Sequence, residues 1–135
     1  MSARFRLLLM VLWLLPLTHA MADEFRPALL VINEAEQGWY SMTWKTPLDK
    51  GRRLVLQPRL PLALEQVSPT ATHQMGQAVI EQSSWRGEPG ALVGATIEIA
   101  GLRALPIEVI IRIALADGSE HSAILRSASP KWTVP

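Results

Sequence analysis

Between Pro106 and Arg126 the chain reads PIEVIIRIALADGSEHSAILR. Ile107, Val109, Ile111, Ile113 and Leu115 share one parity, so in a pleated strand they all point to one face. Glu108, Arg112, Ala114 and Ala116 fall on the other, with Ile110 the one large apolar exception. Asp117-Gly118 follows, a dipeptide that tolerates the positive φ of a tight hairpin turn. On the returning arm Ser122 and Ile124 alternate with His121, Ala123 and Leu125. The stretch therefore predicts a β-hairpin. A strand this rich in isoleucine needs a second apolar layer, which other segments of the chain must supply.

The 135 residues are enough for one domain and too few for two good cores. The first of them read as an export signal. Arg4 and Arg6 give a positive start, Leu7 to Leu17 is an apolar run, and Ala20-Met21-Ala22 fits the small-x-small rule of signal peptidase. Cleavage is expected after Ala22, with Ala20 as the neighbouring alternative. The competing reading is an uncleaved anchor, but the run is well short of the roughly 20 residues that a spanning helix needs. The expected organisation is thus a signal peptide, 1–22, and a single exported domain, 23–135, in the periplasm or outside the cell. Loss of Arg4 and Arg6 from 13 basic residues leaves 11 against 12 acidic ones, a formal charge of −1. Without a basic stripe interleaved with aromatics, nothing points to nucleic acid. The chain has no cysteine, so it has no disulfide framework and no lipid attachment at the cleavage site. A domain of this size can do without disulfides, since it buries roughly 65% of its unfolded surface.

Along the exported part, Ala28 to Glu34 is a short apolar run. Tyr40, Met42 and Trp44 alternate with Ser41, Thr43 and Lys45, the half-buried strand pattern. The loop Ala35–Gly38 between these runs predicts a second hairpin, and Pro47 is expected to end its second strand. Leu54–Gln57 is a further strand candidate, stopped by Pro58, and Leu60–Ala63, with Pro61 inside it, reads as a bend or an edge segment. Leu64–Ser68 reads as a short strand or turn, and Pro69–Gly76 as polar and irregular. Gln77–Trp85 is a strand or a short helix, its β-branched residues favouring the strand. RGEPG at Arg86–Gly90 is a turn, Ala95–Ala100 a strand with Ile97 and Ile99 on one face, and Trp132–Val134 a last short strand. Six to eight short strands without a helical period predict an all-β fold, an antiparallel sandwich or small barrel, of which the immunoglobulin-like sandwich is the reading adopted.

No catalytic constellation is legible. There is no G-x-S-x-G elbow and no glycine-rich phosphate loop. The carboxylates sit mostly at outward strand positions or in turns, as Glu98, Glu108 and Asp117 do. His73 and His121 are the candidate metal ligands, yet neither has a second ligand at helical or strand spacing. The reading is therefore of no enzyme, no cofactor and no metal site, with the two histidines more simply solvated. Trp39, Trp85 and Trp132 lie at strand edges or ends and are candidate partner-binding residues; closing the ends of a small sandwich is their competing role. Trp44 shares the parity of Tyr40 and Met42 and is expected in the core.

Several stretches taken in order carry a family resemblance. They are DEFRPALL at Asp23–Leu30, Gly38-Trp39-Tyr40, TWKTP at Thr43–Pro47 and LVLQPRLP at Leu54–Pro61. GATIEIAGL at Gly94–Leu102, Val109–Ile113, ADGS at Ala116–Ser119 and Pro130–Pro135 follow. The exported chain resembles the extracytoplasmic N-terminal domain of HupE/UreJ-type bacterial membrane proteins. In that family the domain follows a signal peptide and precedes membrane helices to which transport of nickel or related metals is assigned. The resemblance implies an accessory or interaction module for a polytopic membrane protein of this type. No residue here matches the metal motif of those helices, so no transport residue carries over. The chain stops at Pro135, where the linker to the helices would begin, so the soluble part is either a separate gene product or a fragment. The alternative function is a periplasmic domain that binds a small molecule, a sugar or a metal ion.

Overall fold

The fold is seen in a computed structural model for residues 26–36 and 38–135. The signal-peptide reading of residues 1–22, with cleavage at Ala20 or Ala22, lies outside these residues. Among them, no helix is long and apolar enough to cross a membrane.

The alternating segments form strands. The first hairpin is β1 (Ala28–Glu36) and β2 (Trp39–Asp49). Two short pieces, β3 (Arg52–Arg53) and β4 (Gln57–Arg59), precede β5 (Glu65–Gln66), β6 (Ala71–Met75) and β7 (Ala78–Arg86). Then come β8 (Thr96–Ala100), a 3-10 turn at Leu102–Ala104, β9 (Val109–Ala114), β10 (Glu120–Leu125) and β11 (Lys131–Thr133). Seven of these strands have five residues or more, and six of them, all but β6, fall in segments that the sequence marks as strands.

The strands make two sheets. The large one runs β10-β9-β1-β2-β7-β5, with β3 added to β2 and β6 to β7; the small one is β11-β8-β4. The molecule is an all-β sandwich with its core between the sheets. β1 gives Ala28, Leu30 and Ile32 to that core, β2 gives Tyr40 and Trp44, β9 gives Val109, Ile111 and Ile113, and β8 answers from the other sheet with Ile97 and Ile99. Leu92, Leu102 and Val134 close the gaps and are fully buried. Each fully buried Leu or Ile contributes about 1.5–3 kcal/mol relative to exposure. The isoleucine parity of β9 is thus the floor of the core, and β8 is the second layer it requires.

The Ile-rich hairpin forms as expected, with Glu120 opposite Ala114 through Leu125 opposite Val109. In its turn the Leu115 carbonyl accepts from the Gly118 N–H at 3.0 Å and the Leu115 N–H donates to the Ser119 carbonyl at 2.9 Å. Gly118 has φ 86° while Asp117 stays at negative φ. The loop is therefore a three-residue turn closed by a left-handed glycine. Asp117 caps it, its Oδ1 accepting from the Ser119 N–H at 2.8 Å and the Ser119 hydroxyl at 2.6 Å.

Four expectations are corrected. Not every ladder is antiparallel: β1 and β9 run parallel, Ala28 opposite Val109 through Asn33 opposite Ala114. All of β2 to β8 lies between them, so no hairpin dictates their direction. Pro47 does not end β2, which continues to Asp49. The Leu48 N–H donates to Gln77 in the β7 direction at 2.8 Å, so the N–H that Pro47 lacks would face the opposite side, past the start of β1, where no ladder bond is lost. Likewise the strand near Leu54 is Gln57–Arg59 with Pro58 inside it, tolerated because β4 is an edge of the small sheet. Finally, Pro69–Gly76 is not irregular. It contains β6, all five residues of which are exposed, so no inward parity exists for a sequence pattern to reveal.

Candidate functional site

The alternation that fills the core leaves a second set of side chains on the outer face of the large sheet. Registers join them into rows. One row runs Ile124, Ile110, Leu29, Lys45, Ile80, His73 across six strands. Four of its six members are large and apolar. Ile124 is 53% exposed, and Ile110, Leu29 and Ile80 are half-buried. The adjoining row carries exposed Arg112 and half-buried Val31. Together with Asn33, Ile113, Ala114, Glu120, His121 and Ser122 these two residues line a hollow of about 490 Å³. At the other side of the Ile row, the Arg126 Nε donates to Glu108 at 2.9 Å. The outer face thus combines an apolar band with two cations, Lys45 and Arg112, that make no ion pair among the described residues. An exposed apolar strip rimmed by polar groups is a surface suited to contact.

The candidate tryptophans do not converge. Trp39 lies opposite Arg86 on the outer face, 44% exposed, with the guanidinium 4.9 Å from its ring centroid. Trp85 lies opposite Tyr40 and so faces inward; it packs against the core and its Nε1–H donates to the Ser83 hydroxyl at 2.8 Å. Trp132 pairs with buried Ile97 and also packs inward on the core. Trp44 is 1% exposed. Neither do the histidines converge. His73 is exposed on β6 at one side of the large sheet, and His121 is half-buried on β10 at the other. Among the described residues, no three His, Cys, Asp or Glu side chains form a group that would hold a metal ion.

Two further features have titratable groups. At one end of the sandwich Glu34 shares the inward parity of β1 and is 9% exposed. Its carboxylate accepts from the Gly38 N–H at 3.2 Å and the Ala116 N–H at 3.1 Å, tying the β1–β2 loop to the β9–β10 turn. Burial pushes the Glu34 carboxyl up, but the N–H groups of Ala116 and Gly38, the Tyr40 hydroxyl and the Gly90 N–H outweigh it and hold the group below the ordinary carboxylate range. Burial, followed by the charge of Glu34, pushes the Tyr40 hydroxyl up. That hydroxyl also donates to the Glu88 carbonyl at 3.3 Å, so the β7–β8 loop joins the same knot. The second feature is an open cleft of about 390 Å³ between the sheets. Thr46, Leu54, Leu56, Val79 and Gly101 line it, and the Arg53–Glu81 ion pair spans 2.8 Å in its wall.

The outer row had a visible signal, because Ile110 breaks the polar parity of its strand and Ile124 sits on the matching parity across the turn. Glu34 gave no such signal. A glutamate at the end of an apolar run reads as the strand's solvated end until the loops that fold over it are seen. Comparison with protein-family models, with curated proteins and with solved structures gives no match to this chain.

Proposed function

We propose that the exported chain is a non-enzymatic periplasmic module that works by contact, an accessory domain for a polytopic membrane protein of the HupE/UreJ type. The observation that carries this reading is the outer face of the large sheet, where Ile124, Ile110 and Leu29 make an apolar band beside Lys45 and Arg112. A band of this kind matches an apolar extracytoplasmic loop surface with acidic groups at its margin. The resemblance of its stretches to HupE/UreJ-type domains supplies the identity of the partner in this reading. Protein purified after export and immobilised is expected to retain a HupE/UreJ-type polytopic protein, identified by mass spectrometry, from detergent-solubilised membranes. Ile124→Asp should abolish retention with the fold unchanged by circular dichroism. Equal retention by Ile124→Asp removes the outer face from the reading, and no retention by the unaltered chain removes the reading itself.

The cleft between the sheets favours a second reading, a binding domain for a small molecule. Its apolar wall with one ion pair is the usual make-up of a small-ligand site, and about 390 Å³ lies within the usual size range. Glu81 and Arg53 would orient a polar end while Leu54, Leu56 and Val79 hold an apolar body. A ligand bound there raises the melting temperature, and Arg53→Ala removes the increase; a sugar or a metal ion that acts equally on both chains does not occupy the cleft.

A further inference from the structure

Sheet edges offer unpaired backbone groups, and proteins commonly blunt them with charge or proline inside the strand. Among the described residues the edge strands carry such devices, but the outer edge of β7, which β5 and β6 share, carries them only up to Pro69, ahead of β6. β10 contains Glu120, β5 contains Glu65, β4 contains Pro58 and Arg59, and β11 contains Lys131. β6, Ala-Thr-His-Gln-Met, contains no Asp, Glu, Lys, Arg or Pro, its one ionisable side chain is that of His73, and all of it is exposed.

The direction of its free backbone groups follows from its neighbour. Immediately before β7 the Gln77 carbonyl accepts from the Leu48 N–H of β2, and within β7 the Ser84 carbonyl accepts from the Val67 N–H on the opposite side. Odd residues of β7 therefore face β2 and even residues face β6. Ala71, His73 and Met75 lie opposite Gln82, Ile80 and Ala78, so their N–H and C=O groups are used within the sheet. The groups of Thr72 and Gln74 point away from it.

We propose that β6 is a self-association edge: two copies of this chain pair β6 to β6, antiparallel, about a two-fold axis at His73. The register is self-complementary. It sets Thr72 of each copy opposite Gln74 of the other, so the two outward N–H and two outward C=O groups per copy form four cross-strand bonds. It sets His73 opposite His73 in a non-hydrogen-bonded pair. The strand's own composition favours a second copy as the occupant: β6 contains no Asp, Glu, Lys or Arg, so an identical strand meets it with no fixed like charges opposed. Beyond the Met75 end the β2–β3 turn carries Asp49 with Lys50 and Arg52, and beyond the Ala71 end Glu65 lies opposite Arg86, so neither end sets a patch of one sign against its like across the two-fold. The result is one continuous sheet across both copies.

The absence of cysteine makes the test specific, because a single introduced thiol can bridge only between copies. In a non-hydrogen-bonded pair the two Cα atoms lie about 4.5 Å apart, within disulfide reach. Under mild oxidation His73→Cys is expected to run as a covalent dimer. Thr72→Cys places the two Cα atoms about 8 Å apart, beyond reach, and should remain uncrosslinked. Gln74→Pro removes an outward N–H without touching the bonds to β7. By sedimentation equilibrium it should be monomeric at concentrations where the unaltered protein and Gln74→Ala associate, with the same circular dichroism spectrum. An interface this small associates weakly, so the measurement runs from micromolar to millimolar chain. Three results would each overturn the proposal: an unaltered protein that stays monomeric throughout, equal crosslinking of Cys at positions 72 and 73, or a β6 that takes up an extended peptide of another protein and leaves the chain monomeric.

Discussion

A carboxylate as enclosed as that of Glu34 must be matched by donors, and here the donors come from segments distant in sequence. Gly38 belongs to the β1–β2 loop, Ala116 to the β9–β10 turn, and the nearby Tyr40 hydroxyl reaches the β7–β8 loop at Glu88. Because its pKa is lowered in the folded state, the stability it contributes is present above the ordinary carboxylate pKa of 4.5 and is lost as the pH falls through the folded value. Glu34→Gln should therefore cost about 1–3 kcal/mol at pH 7. In melting curves its deficit against the unaltered chain should shrink as the pH drops below about 4. A deficit that is constant with pH would mean that shape, not charge, holds the knot. Two glycines form a second residue-level contrast. Gly118 and Gly101 both have positive φ, 86° and 88°. A Cβ at Gly118 meets open space, whereas one at Gly101 would overlap the Val55 carbonyl oxygen. Gly118→Ala should cost about 1 kcal/mol from backbone conformation alone. Gly101→Ala should cost clearly more, and denaturant titration of the two variants separates them.

Strand β9 separates the two faces of the large sheet within one element. Ile111 is fully buried, while its neighbour Ile110 faces outward and is half-buried. Ile111→Ala should cost about 2–5 kcal/mol, and Ile110→Ser less than about 1 kcal/mol, with its effect appearing in membrane-protein retention instead. Equal costs would mean that the outer row is a covered core. The same alternation explains what could be read from the sequence. Where one face is buried, as in β2, β8 and β9, period two marks the strand and its inward residues, and Tyr40, Trp44, Ile97, Ile99 and Ile111 are where that pattern put them. Where neither face is buried, as in β6, nothing marks the strand at all. Proline misled in β2 and β4 because its cost depends on which side its missing N–H faces and on whether the strand is an edge, and neither is written locally. The parallel pairing of β1 with β9 is a choice between distant segments. The site was legible in part: Ile110 stood out as an exception, whereas Trp85 and Trp132, chosen for their position near strand ends, turn inward because their partners Tyr40 and Ile97 do.

At the scale of the whole molecule, the geometry of the large sheet links its edge to its face. β6 sits on one side of this sheet and the Ile124–Ile110–Leu29 band near the other, both in a single layer. A two-fold that pairs β6 with β6 runs perpendicular to that layer, so it keeps both outer faces on the same side. The paired molecule would then present two apolar bands in one plane, and a membrane is a plane in which partners are held at high local density. Two weak contacts made together bind far more tightly than either alone, commonly by a factor of about 10²–10⁴. Gln74→Pro leaves every residue of the band in place and removes only the pairing. On membranes rich in the partner its retention should therefore fall steeply, while its binding to a single solubilised partner molecule should match that of the unaltered chain. Ile124→Asp should lose both. If Gln74→Pro behaves as the unaltered chain does on membranes, the band acts singly and the edge of β6 serves no part in docking. If it loses both, the docking surface extends onto β6 itself. Quantitative binding to vesicles reconstituted with the partner at high and low density distinguishes these cases, because avidity depends on density and a single contact does not.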